Sequence, residues 1–90
     1  MSKPLESAVE RDACEYAKQH GWMVFKFVSP GCRGVPDRLF IRGGRHLFVE
    51  FKREGEVARR QQEKRHRELR EHGAEVHVID NLRDAYELLH

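Results

Sequence analysis

The chain has 90 residues, of which 36% are charged and 39% hydrophobic, with a formal net charge of +2. That permits one modest core in a single domain spanning 1–90, near the lower limit of what folds alone. No apolar run approaches a membrane span and no signal peptide is visible, so a reducing cytoplasm is the expected setting.

Leu5, Ala8, Val9, Ala13, Tyr16 and Ala17 recur at helical spacing and predict a helix over 5–20. Ser2 or Lys3 with Pro4 suits its start, and Gly21 its stop. Residues 22–28, WMVFKFV, are aromatic and β-branched and predict a strand. SPGCRG, residues 29–34, is a loop rich in breakers. Asp37 to Ile41 and His46 to Lys52 then predict a hairpin about Gly43-Gly44, a pair suited to a two-residue type I′ turn. A polar connection over 54–58 leads to a helix from Arg59 to His72, closed by Gly73. Glu75 to Ile79 is a short strand, and Asp80 or Asn81 caps a last helix through Ala85, Leu88 and Leu89. The order is αβββαβα, an α/β or α+β domain with a small sheet flanked by helices.

The hairpin register has a chemical consequence. A two-residue turn at Gly43-Gly44 sets Arg42 opposite Arg45, Phe40 opposite Leu47 and Asp37 opposite Glu50. Directly opposed residues have Cβ atoms about 4.5–5.5 Å apart, and like charges there are destabilising. Glu50 and Lys52 share a strand face, so Asp37, Glu50 and Lys52 come together. A hard divalent cation would offset the repulsion, and Lys52 would orient a water or stabilise charge on a phosphate. The bland alternative is a pair of strand-end acids and an ordinary ion pair; a one-residue slip would part the acids. Pro36, lacking an N–H, fits the position just before the strand. Glu10 can reach the same cation if its helix flank packs on the sheet; otherwise it is a surface acid favoured by the helix dipole. Gln62, early in the basic helix, can hold a water or a phosphate oxygen, or stay solvated.

Between Lys52 and Arg70 eight basic residues stand against four acidic ones, and twelve of the seventeen cations are arginine. That suits bidentate phosphate contacts, or a solvated helix face laced with ion pairs. Lys26 lies on the parity of Trp22 and Val24, so it either lines a cleft or guards a sheet edge. Lys26, Arg33, Arg38, Arg53, Arg59 and Arg60 are candidates to grip a nucleic-acid backbone. Trp22 and Cys14 read as core. The six histidines form no i,i+4 pair, and the two cysteines form no cluster with them, which argues against zinc.

Several motifs in order resemble a known family. GVPDRLFI, then FVEFKR, then Gln62 with Leu69 seven residues on and Gly73 eleven on, are similar to the VRR-NUC group of the PD-(D/E)XK nuclease superfamily. KFVSPGCRGVPDR resembles its loop, and Glu10 lies eleven residues before Gly21, as the family's first-helix glutamate does. The likeness runs from Glu10 to Ile79. It implies a restriction-endonuclease-like core and a Mg²⁺- or Mn²⁺-dependent DNA endonuclease. Asp37, Glu50 and the Phe51 carbonyl would be metal ligands, Lys52 the catalytic lysine, Glu10 the completing acid and Gln62 the helix glutamine. Small stand-alone members resemble homodimeric resolvases of branched DNA, so Holliday junctions are the expected substrate. ARRQQ replaces the family's Leu-Ser/Thr-Pro run before the glutamine, so the helix start differs and Arg59 and Arg60 add possible phosphate contacts. The expected reaction is hydrolysis: water attacks the phosphorus in line and the 3′ oxygen leaves. A non-catalytic DNA-binding module, a nuclease of flaps or nicked duplex, and an interaction protein are the rivals.

Overall fold

A computed structural model describes residues 5–90, so the expected helix start at Ser2, Lys3 and Pro4 lies outside the described residues. The elements are α1 (Glu6–Gln19), β1 (Met23–Lys26), β2 (Arg38–Arg42), β3 (Arg45–Phe51), α2 (Arg60–Glu71), β4 (Glu75–Ile79) and α3 (Leu82–Leu89). The strands form one sheet in the order β1-β2-β3-β4. The first three run antiparallel, and β4 pairs parallel to β3. This is the expected αβββαβα order with a mixed sheet. The first strand is shorter than the run 22–28 suggests, because Trp22 turns into the core instead of pairing. Among the described residues no helix is long and apolar enough to cross a membrane.

The hairpin has the predicted register, with Arg42 opposite Arg45 and Phe40 opposite Leu47. Gly43 and Gly44 both take positive φ, 55° and 81°, as a type I′ turn requires. That register divides the sheet into two unlike faces. Phe40, Leu47, Val49, Phe51 and Ile79 are buried on one, against Val9, Ala13 and Ala17 of α1 and Ala85 and Leu89 of α3. Trp22 seals this layer: its indole N–H donates to the Leu89 carbonyl at 2.8 Å, and the Arg42 guanidinium lies 4.3 Å from its ring centre. Each such side chain contributes roughly 1.5–3 kcal/mol by leaving water. Asn81 caps α3, its side-chain oxygen accepting from the Asp84 N–H at 2.8 Å.

The other face carries Asp37, Leu39 and Ile41 with Phe48 and Glu50. Here α2 packs over the β3–β4 half of the sheet, and its one buried side chain is His66. The loop before β2 pins the start of α2. A Cβ on Gly34 would fall 2.7 Å from the Gln61 carbonyl oxygen, and Gly34 has φ +83°. Gly34→Ala should therefore lower stability by about 1–3 kcal/mol and displace the start of α2. Gly31→Ala, also at positive φ but in open space, should cost on the order of 1 kcal/mol. Chemical denaturation of both variants measures the difference; equal losses would mean that the Gly34–Gln61 approach does not constrain α2.

Candidate metal centre

Where β2 and β3 emerge from the hairpin, the ladder meets Pro36, which has no N–H. There the Asp37 Oδ2, in place of a backbone carbonyl, accepts the Phe51 N–H at 2.8 Å. Asp37 is thereby fixed at the end of β3. The Lys52 N–H donates to the Ile79 carbonyl at 2.8 Å, so the next backbone amide faces β4. By strand alternation the Phe51 amide and carbonyl both face β2. That carbonyl meets a proline where a ladder donor would stand.

Glu50 is 3% exposed, yet it is ionisable and faces another carboxylate. Its Oε2 accepts from Gln62 Nε2 at 3.2 Å and lies 3.9 Å from Lys52 Nζ. Its Oε1 lies 3.9 Å from His66 Nε2, and both atoms are buried without a hydrogen-bond partner. Burial first, then repulsion by Asp37 and a hydrogen bond shared with it, push the Glu50 carboxyl up to about 8; Lys52 opposes the rise. The amide of Gln62 is oriented by the helix start: its Oε1 accepts the Arg59 N–H at 2.9 Å, half of a capping box. Its Nε2 is thus left to face Glu50. A helical flank one turn long presents Gln62 and His66 to the two oxygens of one carboxylate. Burial lowers the His66 pKa, so the ring is neutral at neutral pH.

These groups open onto a cleft of about 360 Å³ lined by Arg33, Gly34, Asp37, Glu50, Arg59 and Gln62, among others. Asp37, Glu50, Lys52 and Gln62 are therefore brought together as the sequence suggests. Glu10 is not. Its Oε2 accepts from Arg38 Nε at 2.6 Å, on the side of the sheet that α1 covers. One turn earlier on the same flank stands Glu6, which sequence reasoning missed. Burial raises its pKa first, then Asp37, with Lys52 opposing. The signal was the i,i+4 spacing of Glu6 and Glu10; only the helix placement decides which turn reaches the acids. Two of the proposed backbone-gripping residues also move away. Arg38 is committed to Glu10, and Lys26 pairs with Arg38 on the exposed edge strand, facing away from Asp37. Lys26 is an edge lysine. Arg33 and Arg59 line the cleft, Arg60 is exposed beside it and Arg53 is half-buried. Among the described residues no three His, Cys, Asp or Glu side chains form a ready metal cage. The two carboxylates make an open site.

The raised Glu50 pKa has a consequence for stability. Below pH 4.5 the carboxyl is neutral whether the chain is folded or not. Between 4.5 and about 8 the unfolded chain sheds the proton and the folded one keeps it. Stability should therefore fall as pH rises through that window, by at most roughly 1.4 kcal/mol per unit, and level off above it. Glu50→Gln should remove the fall and melt higher than the parent protein at pH 8. Thermal denaturation from pH 5 to 9 without metal checks this; parallel curves for both proteins would refute it.

No family model matches the chain. It is 39% identical over 77 residues to "Putative nuclease p44" of Acyrthosiphon pisum secondary endosymbiont phage 1, covering 84% of this chain and 83% of that protein. A solved structure described as "VRR_NUC domain" superposes with a TM-score of 0.85 at 30% identity, covering 92% of this chain and 91% of the other. A second, "VRR_NUC domain protein", shares the fold with a TM-score of 0.80 at 16% identity, covering 97% and 86%. Taken with the acids and lysine at the end of the hairpin and the glutamine that α2 brings to them, these likenesses place the chain in the VRR-NUC family of PD-(D/E)XK nucleases.

Proposed function

We propose that the chain is a Mg²⁺- or Mn²⁺-dependent endodeoxyribonuclease that cuts branched DNA, a Holliday-junction resolvase acting as a homodimer. One observation carries the metal reading: a buried carboxylate faces a second carboxylate and has too few partners. Besides the hydrogen bond it shares with Asp37, Glu50 accepts one 3.2 Å bond from Gln62, and its nearest ammonium is 3.9 Å away. Ionising Glu50 with so little compensation costs several kcal/mol, which is why the folded chain holds its proton. A cation removes that cost, and nucleases of this fold generally use divalent metals.

The donors fit a hard cation. Asp37 and Glu50 offer carboxylate oxygens, and the Phe51 carbonyl faces Pro36, which has no N–H to give. An all-oxygen set with room for water and substrate phosphate suits Mg²⁺ or Mn²⁺. Glu6, rather than Glu10, would complete the acid cluster. When bound, the metal supplies Lewis-acid polarisation of the phosphate and a lowered pKa for a water. The chain's own residues do the rest. Lys52, 7% exposed, holds its ammonium beside Glu50 and orients the attacking water in line with the phosphorus. Gln62, locked by the helix cap, keeps Glu50 from rotating. Arg33 and Arg59 on the cleft rim, flanked by Arg60 and Arg53, grip phosphates. Such contacts fix position and carry no base sequence, which favours recognition of DNA shape.

The homodimer is supported by the uncovered half of the sheet. Met23 and Phe25 are 58% and 45% exposed, and they pair with Ile41 and Leu39 on the face that α2 leaves open. A second copy would cover that patch, and two sites would serve the two equivalent strands of a junction.

Purified protein incubated with junction, flap, nicked and plain duplex DNA should cut junctions with Mg²⁺ or Mn²⁺ and cut nothing in EDTA. Asp37→Asn and Lys52→Ala should keep junction binding and lose cleavage by at least about 10²-fold. Glu6→Gln should slow cleavage more than Glu10→Gln. Binding with no cleavage under any metal would leave only a DNA-binding module; a preference for flaps or nicks would replace the resolvase reading. Light scattering should give twice the 10.6 kDa chain mass, and Phe25→Glu should halve it. A monomer at micromolar concentration would refute the dimer.

A further inference from the structure

His66 has no part in the chemistry above, yet it is the one side chain of α2 that is fully buried, at 1% exposed. Its Nε2 has no hydrogen-bond partner, and neither has the Glu50 Oε1 that it faces at 3.9 Å. Burying a donor and an acceptor opposite each other just beyond bonding distance is costly, and native structures keep such pairs rarely. A leucine in place of the imidazole would remove the unpaired nitrogen and its share of the cost. The geometry shows what the ring is placed to do. Gln62 and His66 lie four residues apart on one helix face, the first at Oε2 and the second at Oε1 of the same carboxylate. A shift of under about 1 Å would bring Nε2 within the 2.7–3.2 Å of a hydrogen bond. The ring also lines a separate cavity of about 550 Å³ with Val57, Ala58 and Val78, so it is not packed tightly on every side.

We propose that His66 is a positioning residue: its Nε2–H donates to Glu50 Oε1 when the cation binds, fixing the carboxylate toward the metal between two donors of one helix. The proposal rests on Asp37 and Glu50 holding a divalent cation. Groups that hold a metal ligand in place in this way typically govern metal affinity by 10–100-fold.

The test measures Mn²⁺ affinity by calorimetry on the DNA-free protein, the melting temperature, and kcat and KM on a cleaved DNA. His66→Leu should melt at or above the parent temperature, bind Mn²⁺ about tenfold more weakly, and lose kcat with KM for DNA unchanged. His66→Gln, which keeps a donor near the Nε2 position, should recover most of both losses. A His66→Leu protein that binds Mn²⁺ within twofold of the parent, or that loses affinity only with its melting temperature and is not rescued by His66→Gln, overturns the proposal and makes the ring a packing residue. Should His66→Leu fail to fold, ¹⁵N NMR of the parent during Mg²⁺ titration decides. The His66 Nε2–H resonance should move along the binding isotherm, and a resonance that stays still while Mg²⁺ binds refutes the role. A parent protein that binds neither Mn²⁺ nor Mg²⁺ refutes the metal centre itself, a different result from one in which only the variant is indifferent.

Discussion

Everything at the site depends on the register of one hairpin. Two glycines in left-handed conformation close the turn, and the pairing that follows puts Phe40 and Leu47 on the core side. The same pairing, extended to the strand ends, brings Asp37 against Glu50. A slip by one residue would relieve the acids but would turn a row of core side chains into water. Phe40, Leu47, Val49 and Phe51 together contribute roughly 6–12 kcal/mol by burial. The rise of the Glu50 pKa from 4.5 to about 8 corresponds to at most about 5 kcal/mol. The apolar face wins, so the hydrophobic core holds two carboxylates together against their repulsion.

The strand ends are built to leave oxygen atoms available. Pro36, just before Asp37, has no N–H to give the ladder, and the Asp37 carboxylate in place of a backbone carbonyl takes the Phe51 N–H. On the other side the Gln62 amide serves the cap of α2 with its oxygen and Glu50 with its nitrogen. Each polar group is thus held by secondary structure on one side and faces the acids on the other. The groups left short of partners, Glu50 Oε1 and His66 Nε2, lie together in this assembly. A core free of function has no reason to keep them there.

Much of this was legible in the residues because the determining interactions are local. Gly43-Gly44 fixes the turn, alternation fixes the faces, and Asp37, Glu50 and Lys52 follow without reference to distant parts of the chain. The expectations that the structure changes all needed a long-range placement. Glu10 and Glu6 share a flank of α1 at i,i+4, and spacing cannot tell which turn overhangs the end of β3. Arg38, adjacent to Asp37 but of opposite parity, captures Glu10 from the far face. Parity correctly grouped Lys26 with Val24 but could not show that this face lies away from the acids. The burial of His66 was invisible for the same reason: α2 reads as a basic, solvated helix, and only its seat over β3 and β4 gives the ring an interior.

The division of the sheet also explains why so small a chain can leave a cleft open. Its apolar residues suffice to cover one face completely, with α1 and α3. On the other face a single helix must both complete the fold and frame the acids, so it can cover only half. The half it covers includes Glu50, whose burial strengthens every electrostatic interaction at that carboxylate. The half it leaves bare presents Met23 and Phe25 to solvent on the edge of the same sheet. Among the described residues no further helix covers that patch. The helix that frames the acids on this face is therefore also the one whose limited reach leaves an apolar surface at the sheet edge.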